Sequence, residues 1–464
     1  MLIDMIQLKD KALWSVVLTV AVAFYGAGEE LQQLFDRTSF QEVVYFQHLF
    51  HRTPFTLFVR VLILLLGALS AVYLYLSPMG VYWKNRGETY LLLLAIIAGG
   101  LISISSYHAM PLLLGIELMS IASYILVAAR ITAASGEAAI KYLLYGAFTT
   151  AITLFALSLL YPTAGIHIFH PDWATQFLES SFPFKWLVLT LFFSGLLFKI
   201  SLFPFHPWTP DVYQGSDWSI IQIIALLPKM AVFPILLQWA ALFGAIDVFV
   251  GGLSLLVLAT IIVGNTAALH QSNVKRWVAW SGVAQTGFMA CTLVMTGDQA
   301  QLSLLFYLIV YLFSLPAALM ILDYFESKYQ AKEVDNFNGL GKKEPIGSVI
   351  FVLSMANLIG LPPTAGFYSK VYIMTTLWSS YLEQDEILYL ILLLTAVAAT
   401  LVSLYYYLKI PYALFFKASE KKTILTSISG STVLFVILIS ILPLGIFFQP
   451  EWLSNWLRVI VAFI

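Results

Sequence analysis

Four lysines and one glutamate stand in stretches that are otherwise apolar: Lys141, Lys199, Lys229 and Lys370, with Glu117. An ionisable side chain at bilayer depth costs roughly 3 kcal/mol to insert, so a chain that carries five has a use for them. Such groups line water-filled paths, pair with one another, or pass protons along. Lys229 lies near the middle of its apolar run, in Leu226-Leu227-Pro228-Lys229-Met230, too deep to reach either surface easily. Glu117, in Leu114-Gly115-Ile116-Glu117-Leu118, needs a cation or a proton if it is to stay there. Lys141 has Glu137 one helical turn before it, a favourable pair near the end of a span. His206 sits beside a proline cluster, where it could relay protons or cap freed carbonyls. His108, His167, His170 and His270 fall at span ends or in loops and carry no such expectation.

The elements that must hold these groups are membrane spans. Of 464 residues, 60% are hydrophobic and 11% charged, and the mean hydropathy is +0.87. A water-soluble domain of that size would lack the polar surface to face water. Aromatics at 15% suit interfacial belts as well as packing. Cys291 is the single cysteine, which excludes an internal disulfide, a thiolate zinc site or an iron–sulfur cluster. No glycine-rich phosphate loop, nucleophile elbow or zinc motif is present. Basic residues are scattered over loops, which argues against nucleic acid. His48 and His51, near Glu42, give no metal-binding pattern.

Runs able to cross ~30 Å of hydrocarbon fall near 12–28, 55–77, 89–106, 110–131, 137–160, 186–206, 218–243, 248–270, 275–295, 301–325, 346–378, 387–416 and 424–448. The expected fold is therefore an all-α polytopic membrane domain of about thirteen spans occupying 1–464. The first run, behind Lys9 and Lys11, reads as an uncleaved span rather than a signal peptide. The tail from Pro450, with Trp452, Trp456 and Arg458, reads as an interfacial or re-entrant helix. With the N-terminus inside, fourteen lysines and arginines fall in inside loops and four (Arg37, Arg52, Lys185, Arg458) outside, the bias that sets orientation.

Two spans must be broken. Pro204, Pro207 and Pro210 follow Lys199, and each removes a backbone donor. The other break is Gly360-Leu361-Pro362-Pro363-Thr364, ahead of Lys370, in a run of 33 residues. Irregular backbone at this depth survives only where protein or water satisfies it. The lysine precedes one break and follows the other, in spans that cross in opposite directions. That mirror relation predicts two five-helix inverted repeats, 110–243 and 248–416.

These motifs resemble the antiporter-like membrane subunits of respiratory complex I. The likeness runs from about 55 to 450. It is carried by Gly115-Ile116-Glu117-Leu118, Glu137–Tyr142, Phe198–Gly215, Pro228-Lys229, Asn273-Val274-Lys275-Arg276, Leu361–Tyr372 and Leu404–Leu408. The ending Pro210-Asp211-Val212-Tyr213-Gln214-Gly215 points to the subunit N type, as does a lysine at 370 where the M type has glutamate. The lack of a long lateral C-terminal helix argues against the L type. The resemblance implies that Glu117 and Lys199 form a charge pair at the proton-entry half. It makes Lys229 the central lysine, Lys370 the terminal one, and Lys141 a further member of the line. It implies a non-redox translocase subunit in a bacterial inner membrane, with no cofactor of its own. Flavin, iron–sulfur clusters and quinone belong to partner subunits. Its partners are the neighbouring antiporter-like and small membrane subunits and the lipid bilayer. Two departures stand out: one helix fewer than usual before Glu117, and Gln285 where the family often has histidine. The alternative reading is a subunit of a multi-protein cation/proton antiporter or of a membrane-bound hydrogenase.

Overall fold

The computed structural model describes residues 11–35, 43–45, 49–77, 86–164, 185–243, 247–295, 297–418 and 430–462. His48, His167, His170, Glu42, Arg37, Lys9 and several inside lysines (Lys84, Lys421, Lys422) lie outside these residues. The described chain is helical apart from one small antiparallel ladder, β1 (Val43–Tyr45) with β2 (Phe50–Arg52), which the all-helical expectation did not contain.

The first four helices are α1 (Lys11–Phe35), α2 (Pro54–Leu76), α3 (Arg86–Ser105) and α4 (Ala109–Ala128). α2 starts where Thr53 and Thr56 form a capping box ahead of Pro54. α4 starts at His108, whose ring nitrogen accepts from the Met110 amide at 3.3 Å, so that histidine is a cap. α3 and α4 lie backbone to backbone. A Cβ on Gly99 would come within 2.5 Å of the Gly115 carbonyl, and one on Gly115 within 2.6 Å of the Gly99 carbonyl. Only glycine allows that approach, and it fixes the turn that carries Glu117.

Next come α5 (Ala133–Ala164), α6 (Lys185–Ile200), the short α7 (Trp208–Gly215), α8 (Trp218–Phe243), α9 (Asp247–Leu269), α10 (Val274–Ala290) and α11 (Asp298–Tyr329). After the single turn α12 (Leu340–Lys343) follow α13 (Pro345–Ile359), α14 (Ala365–Gln384), α15 (Ile387–Phe416), α16 (Gly430–Phe448) and α17 (Pro450–Val461). Among the described residues, eight helices are long and apolar enough to cross a membrane on their own. The other five expected runs hold α1, α6 with its break, α10, the pair α13 and α14, and α16.

α8 and α11 form the interior. Their most apolar stretches are 100% and 94% buried, against 33% for α5 and 28% for α15 on the rim. Pro228 and Pro234 sit within α8 without ending it. α17 turns 88° from α16 and buries Leu453, Leu457 and Ile460 while Trp452 stays exposed. One apolar side and one wet side suit a helix lying in the interface, as the tail sequence predicts.

Candidate functional site: a lysine line around helix α10

α6 ends at Ile200, four residues before the first proline. Ser201 takes the left-handed conformation (φ 61°). The amides of Ser201 and Leu202 then donate back to Phe198 and Leu197, each at 3.0 Å. A helix end leaves carbonyls without intrahelical donors, and side chains supply them here. Trp208 Nε1 donates to the Phe198 carbonyl at 3.3 Å, and the Thr286 hydroxyl to the Ile200 carbonyl at 2.9 Å. In the loop, the Phe203 amide donates to Thr260 Oγ1 at 3.0 Å. The break is thus satisfied by donors from α7 and α10 and an acceptor from α9, and it leaves Lys199 one residue from a helix terminus.

The second break is built the same way. α13 ends at Ile359, and Gly360 (φ 85°) reverses the chain. Asn357 Oδ1 accepts from the Gly366 amide at 2.7 Å, while its amide nitrogen donates to Ser314 Oγ. Gln285 Nε2 donates to the Leu358 carbonyl at 2.9 Å. Lys370 lies in the second turn of α14. It is buried, has no hydrogen-bond partner for its ammonium among the described residues, and points that group at the face of Phe288, 4.3 Å from the centroid. A Cβ on Gly360 would meet its stem at 3.0 Å.

Lys229 is buried in mid-α8. Its ammonium donates to the Gly282 carbonyl at 3.1 Å and lies 5.8 Å from the Tyr311 ring. Two of the three amines therefore have their partner on α10, Gly282 for Lys229 and Phe288 for Lys370, and Thr286 between them holds the carbonyl of Ile200, the residue after Lys199. Six residues of α-helix span about 9 Å. None of the three amines makes an ion pair with a carboxylate among the described residues.

Glu117 and Lys199 do not meet directly. Thr150 donates to the glutamate at 2.6 Å. The Lys199 ammonium lies 5.1 to 5.4 Å from the rings of Tyr124, Phe198 and Tyr142, within cation–π range. Both side chains nevertheless line one crevice of about 20 Å³ between α4, α5 and α6, room for about one water. The expected charge pair is not a direct ion pair among the described residues.

Lys141 stands apart from the other three lysines. It bonds Glu137 and Asp211, each at 2.9 Å, and is partly exposed; Arg276 bonds the same aspartate at 2.7 Å. Burial works to raise the Asp211 carboxyl, but Lys141 and Arg276 outweigh it and hold it below its ordinary value. His206 packs its ring between Phe203 and Trp280, and its Nδ1 has no partner, so it does not cap the break through that nitrogen.

A model of the NADH:quinone oxidoreductase/Mrp antiporter transmembrane family matches residues 106–403, which hold both breaks and every residue of this line. The chain belongs to that family. Within it, an NADH-quinone oxidoreductase subunit N of Cytophaga hutchinsonii is 34% identical over 374 residues, 79% of each chain. A chain of respiratory complex I from Thermus thermophilus superposes with a TM-score of 0.78 at 27% identity, covering 96% of this chain and 94% of that one. A chain of the archaeal membrane-bound sulfane sulfur reductase shares the fold, with a TM-score of 0.86 at 20% identity, covering 99% and 93%.

Relative to this antiporter family's usual histidine, Gln285 is the informative departure. Its amide group donates to Leu358 and to Tyr407 Oη (3.0 Å), and its oxygen accepts from Tyr307. The sequence suggests a side chain free to hold a water chain; the structure shows one committed to protein partners. Thr286 carries no signal in sequence, since a threonine in an apolar helix most often bonds its own backbone.

The end of α8 and α11 that carries Trp218 and Glu326 holds a second group that sequence reasoning undervalued. Asp323 is expected near the surface, yet it is fully buried and accepts from Ser77 at 2.6 Å. Asp217 pairs with Arg130 at 2.9 Å. Glu326 accepts from Trp218 Nε1 at 2.6 Å and lies 3.4 Å from Lys275. The usable signal was spacing: Asp323 and Glu326 are one turn apart on an otherwise apolar helix.

Proposed function

We propose that this chain is the antiporter-like, proton-translocating subunit of an NADH–quinone oxidoreductase and moves protons along Lys199, Lys229 and Lys370. Glu117 sets the charge at the entry half. The chain does no redox chemistry; flavin, iron–sulfur clusters and quinone sit in partner subunits, and neighbouring membrane subunits flank it. The observation that carries this reading is three buried amines without a carboxylate partner among the described residues, two of them seated on α10 and the third one residue from the Ile200 carbonyl that α10 holds. A buried ammonium without a carboxylate is costly, and an amine that can hold or release a proton serves as a station.

The mirrored breaks support the inverted repeats 110–243 and 248–416, one lysine at each. The inside mouth is the Asp217, Asp323 and Glu326 cluster. α8 and α11 run antiparallel, in contact from Trp218–Glu326 to Lys229–Tyr311. Gln222 falls on the same α8 stripe between those contacts, one turn from Trp218 and two from Lys229. Both polar atoms of Gln222, Ser219 Oγ and Asp323 Oδ1 are buried without hydrogen-bond partners among the described residues. Buried polar groups of that kind, strung between carboxylates and an amine, are what a water-carried proton route requires. Lys141 and His206 join at the periphery, Lys141 through the Asp211 cluster.

The membrane is the bacterial inner membrane, with the N-terminus cytoplasmic and the C-terminus periplasmic. Reporter fusions at Lys332 and Asp385 are expected to read cytoplasmic and periplasmic. The same side for both would rule out the thirteen-span arrangement. The antiporter or membrane-bound hydrogenase alternative shares the fold, and residue identity favours the oxidoreductase. Purification with native partners tests this: co-purifying flavin and NADH oxidation support the reading, and a complex lacking both would replace it.

A further inference from the structure

We infer that Thr286 is a positioning residue that locks the end of the first broken helix to the donor state of Lys229. The inference rests on the lysine-line reading and adds an interlock between two of its stations.

The argument is a count of protons and lone pairs. The Thr286 hydroxyl has one proton and two acceptors in reach, the Ile200 carbonyl at 2.9 Å and the Gly282 carbonyl at 3.0 Å. It can serve one of them at a time. The Gly282 carbonyl has two lone pairs. One takes the Thr286 backbone N–H, as anywhere in an α-helix, since α10 is helical through this turn. The other takes the Lys229 ammonium at 3.1 Å. While Lys229 donates, Gly282 is fully occupied, and the hydroxyl goes to Ile200. There it supplies a carbonyl that ends α6 and has no other described donor.

When the Lys229 amine swings away from Gly282, as it must to pass its proton to another acceptor, a lone pair opens on Gly282. The hydroxyl can then fold back onto its own helix, the ordinary bond of a helical threonine. Ile200 loses its donor. That carbonyl belongs to the Ile200–Ser201 peptide, one residue beyond Lys199, so the helix end that carries the first station loosens as the second is vacated. Lys199 is held while Lys229 is loaded and freed once Lys229 has discharged. A proton thus moves forward only into an empty station. Gln285, the adjacent residue, holds the second break through Leu358 and makes no hydrogen bond to Lys229 among the described residues, so the interlock belongs to Thr286.

The test uses the assembled complex in proteoliposomes, with protons moved per NADH oxidised as the readout. Thr286→Val keeps the shape and removes the hydroxyl; Thr286→Ser keeps the hydroxyl. The valine variant is expected to lower the ratio about threefold to tenfold, the range one net hydrogen bond corresponds to, and the serine variant to restore it. Wild-type coupling in Thr286→Val, or equal failure of valine and serine, overturns the interlock. If the valine variant does not assemble, amide hydrogen exchange over residues 201–205 decides. Exchange there is expected to speed up in assembled Lys229→Ala, in which Gly282 has lost its lysine donor, and unchanged exchange refutes the inference. Loss of pumping in Lys229→Ala with unaltered coupling in Thr286→Val would remove the interlock alone. Intact pumping in Lys229→Ala would remove the lysine line beneath it.

Discussion

Lys229→Ala is expected to cut proton pumping by the assembled complex about tenfold or more, since losing one positioned proton-transfer group commonly costs ~10²-fold. The chain should still insert and assemble. Lys229 makes one side-chain hydrogen bond, to Gly282, and removing a buried amine also removes its desolvation cost. The effect should therefore appear in transport rather than in abundance. Lys370→Ala is expected to behave similarly. Its ammonium has only the Phe288 face as company, so the variant leaves no carboxylate stranded. Lys370→Arg should rescue poorly, because a guanidinium stays charged and cannot act as a station. Proton uptake by vesicles carrying the assembled variants is the measurement. Wild-type pumping in Lys229→Ala would make that lysine a packing element.

Glu117→Gln is expected to impair turnover severalfold, and the structure makes it a clean test. A glutamine oxygen can still accept the Thr150 hydroxyl that the carboxylate now accepts at 2.6 Å, so the substitution removes charge and little else. Glu117→Asp keeps the charge but draws it back from the crevice shared with Lys199, and should retain part of the activity. The two groups interact across a gap with room for about one water, not through an ion pair. Their coupling should be real but moderate. A double-mutant cycle with Lys199→Ala is expected to show non-additivity above about 0.5 kcal/mol, the threshold that separates coupled from independent sites. Strictly additive losses would mean that the glutamate acts on some other group.

The spans were legible because bilayer depth imposes a long apolar run. Both breaks were legible because proline removes a donor wherever it stands. Lys199, Lys229, Lys370 and Glu117 were legible for the complementary reason: a charge in such a run is expensive enough to be noticed. Other features depend on which helices touch, and no local pattern records that. Asp323 looked superficial because it lies near a span end, yet α11 is buried almost throughout, and Ser77 from a distant helix meets it. In sequence, Glu137 one turn earlier set Lys141 apart, but nothing marked its second partner, Asp211, which α7 brings in. The spacing of Glu117 from Lys199 was set by Thr150 and three aromatic rings, which compete for the two charges.

By itself the sequence determined the membrane class, the broken helices and the chemistry-bearing residues, since each follows from the solvent a residue must live in. Only the tertiary structure decided that α10 passes between both breaks, meeting Lys229 at Gly282, Lys370 at Phe288 and the end of the first broken helix at Thr286. The physical reason is that a freed helix carbonyl must find a donor. The donors here, Thr286 and Gln285, come from a helix more than seventy residues away in the chain.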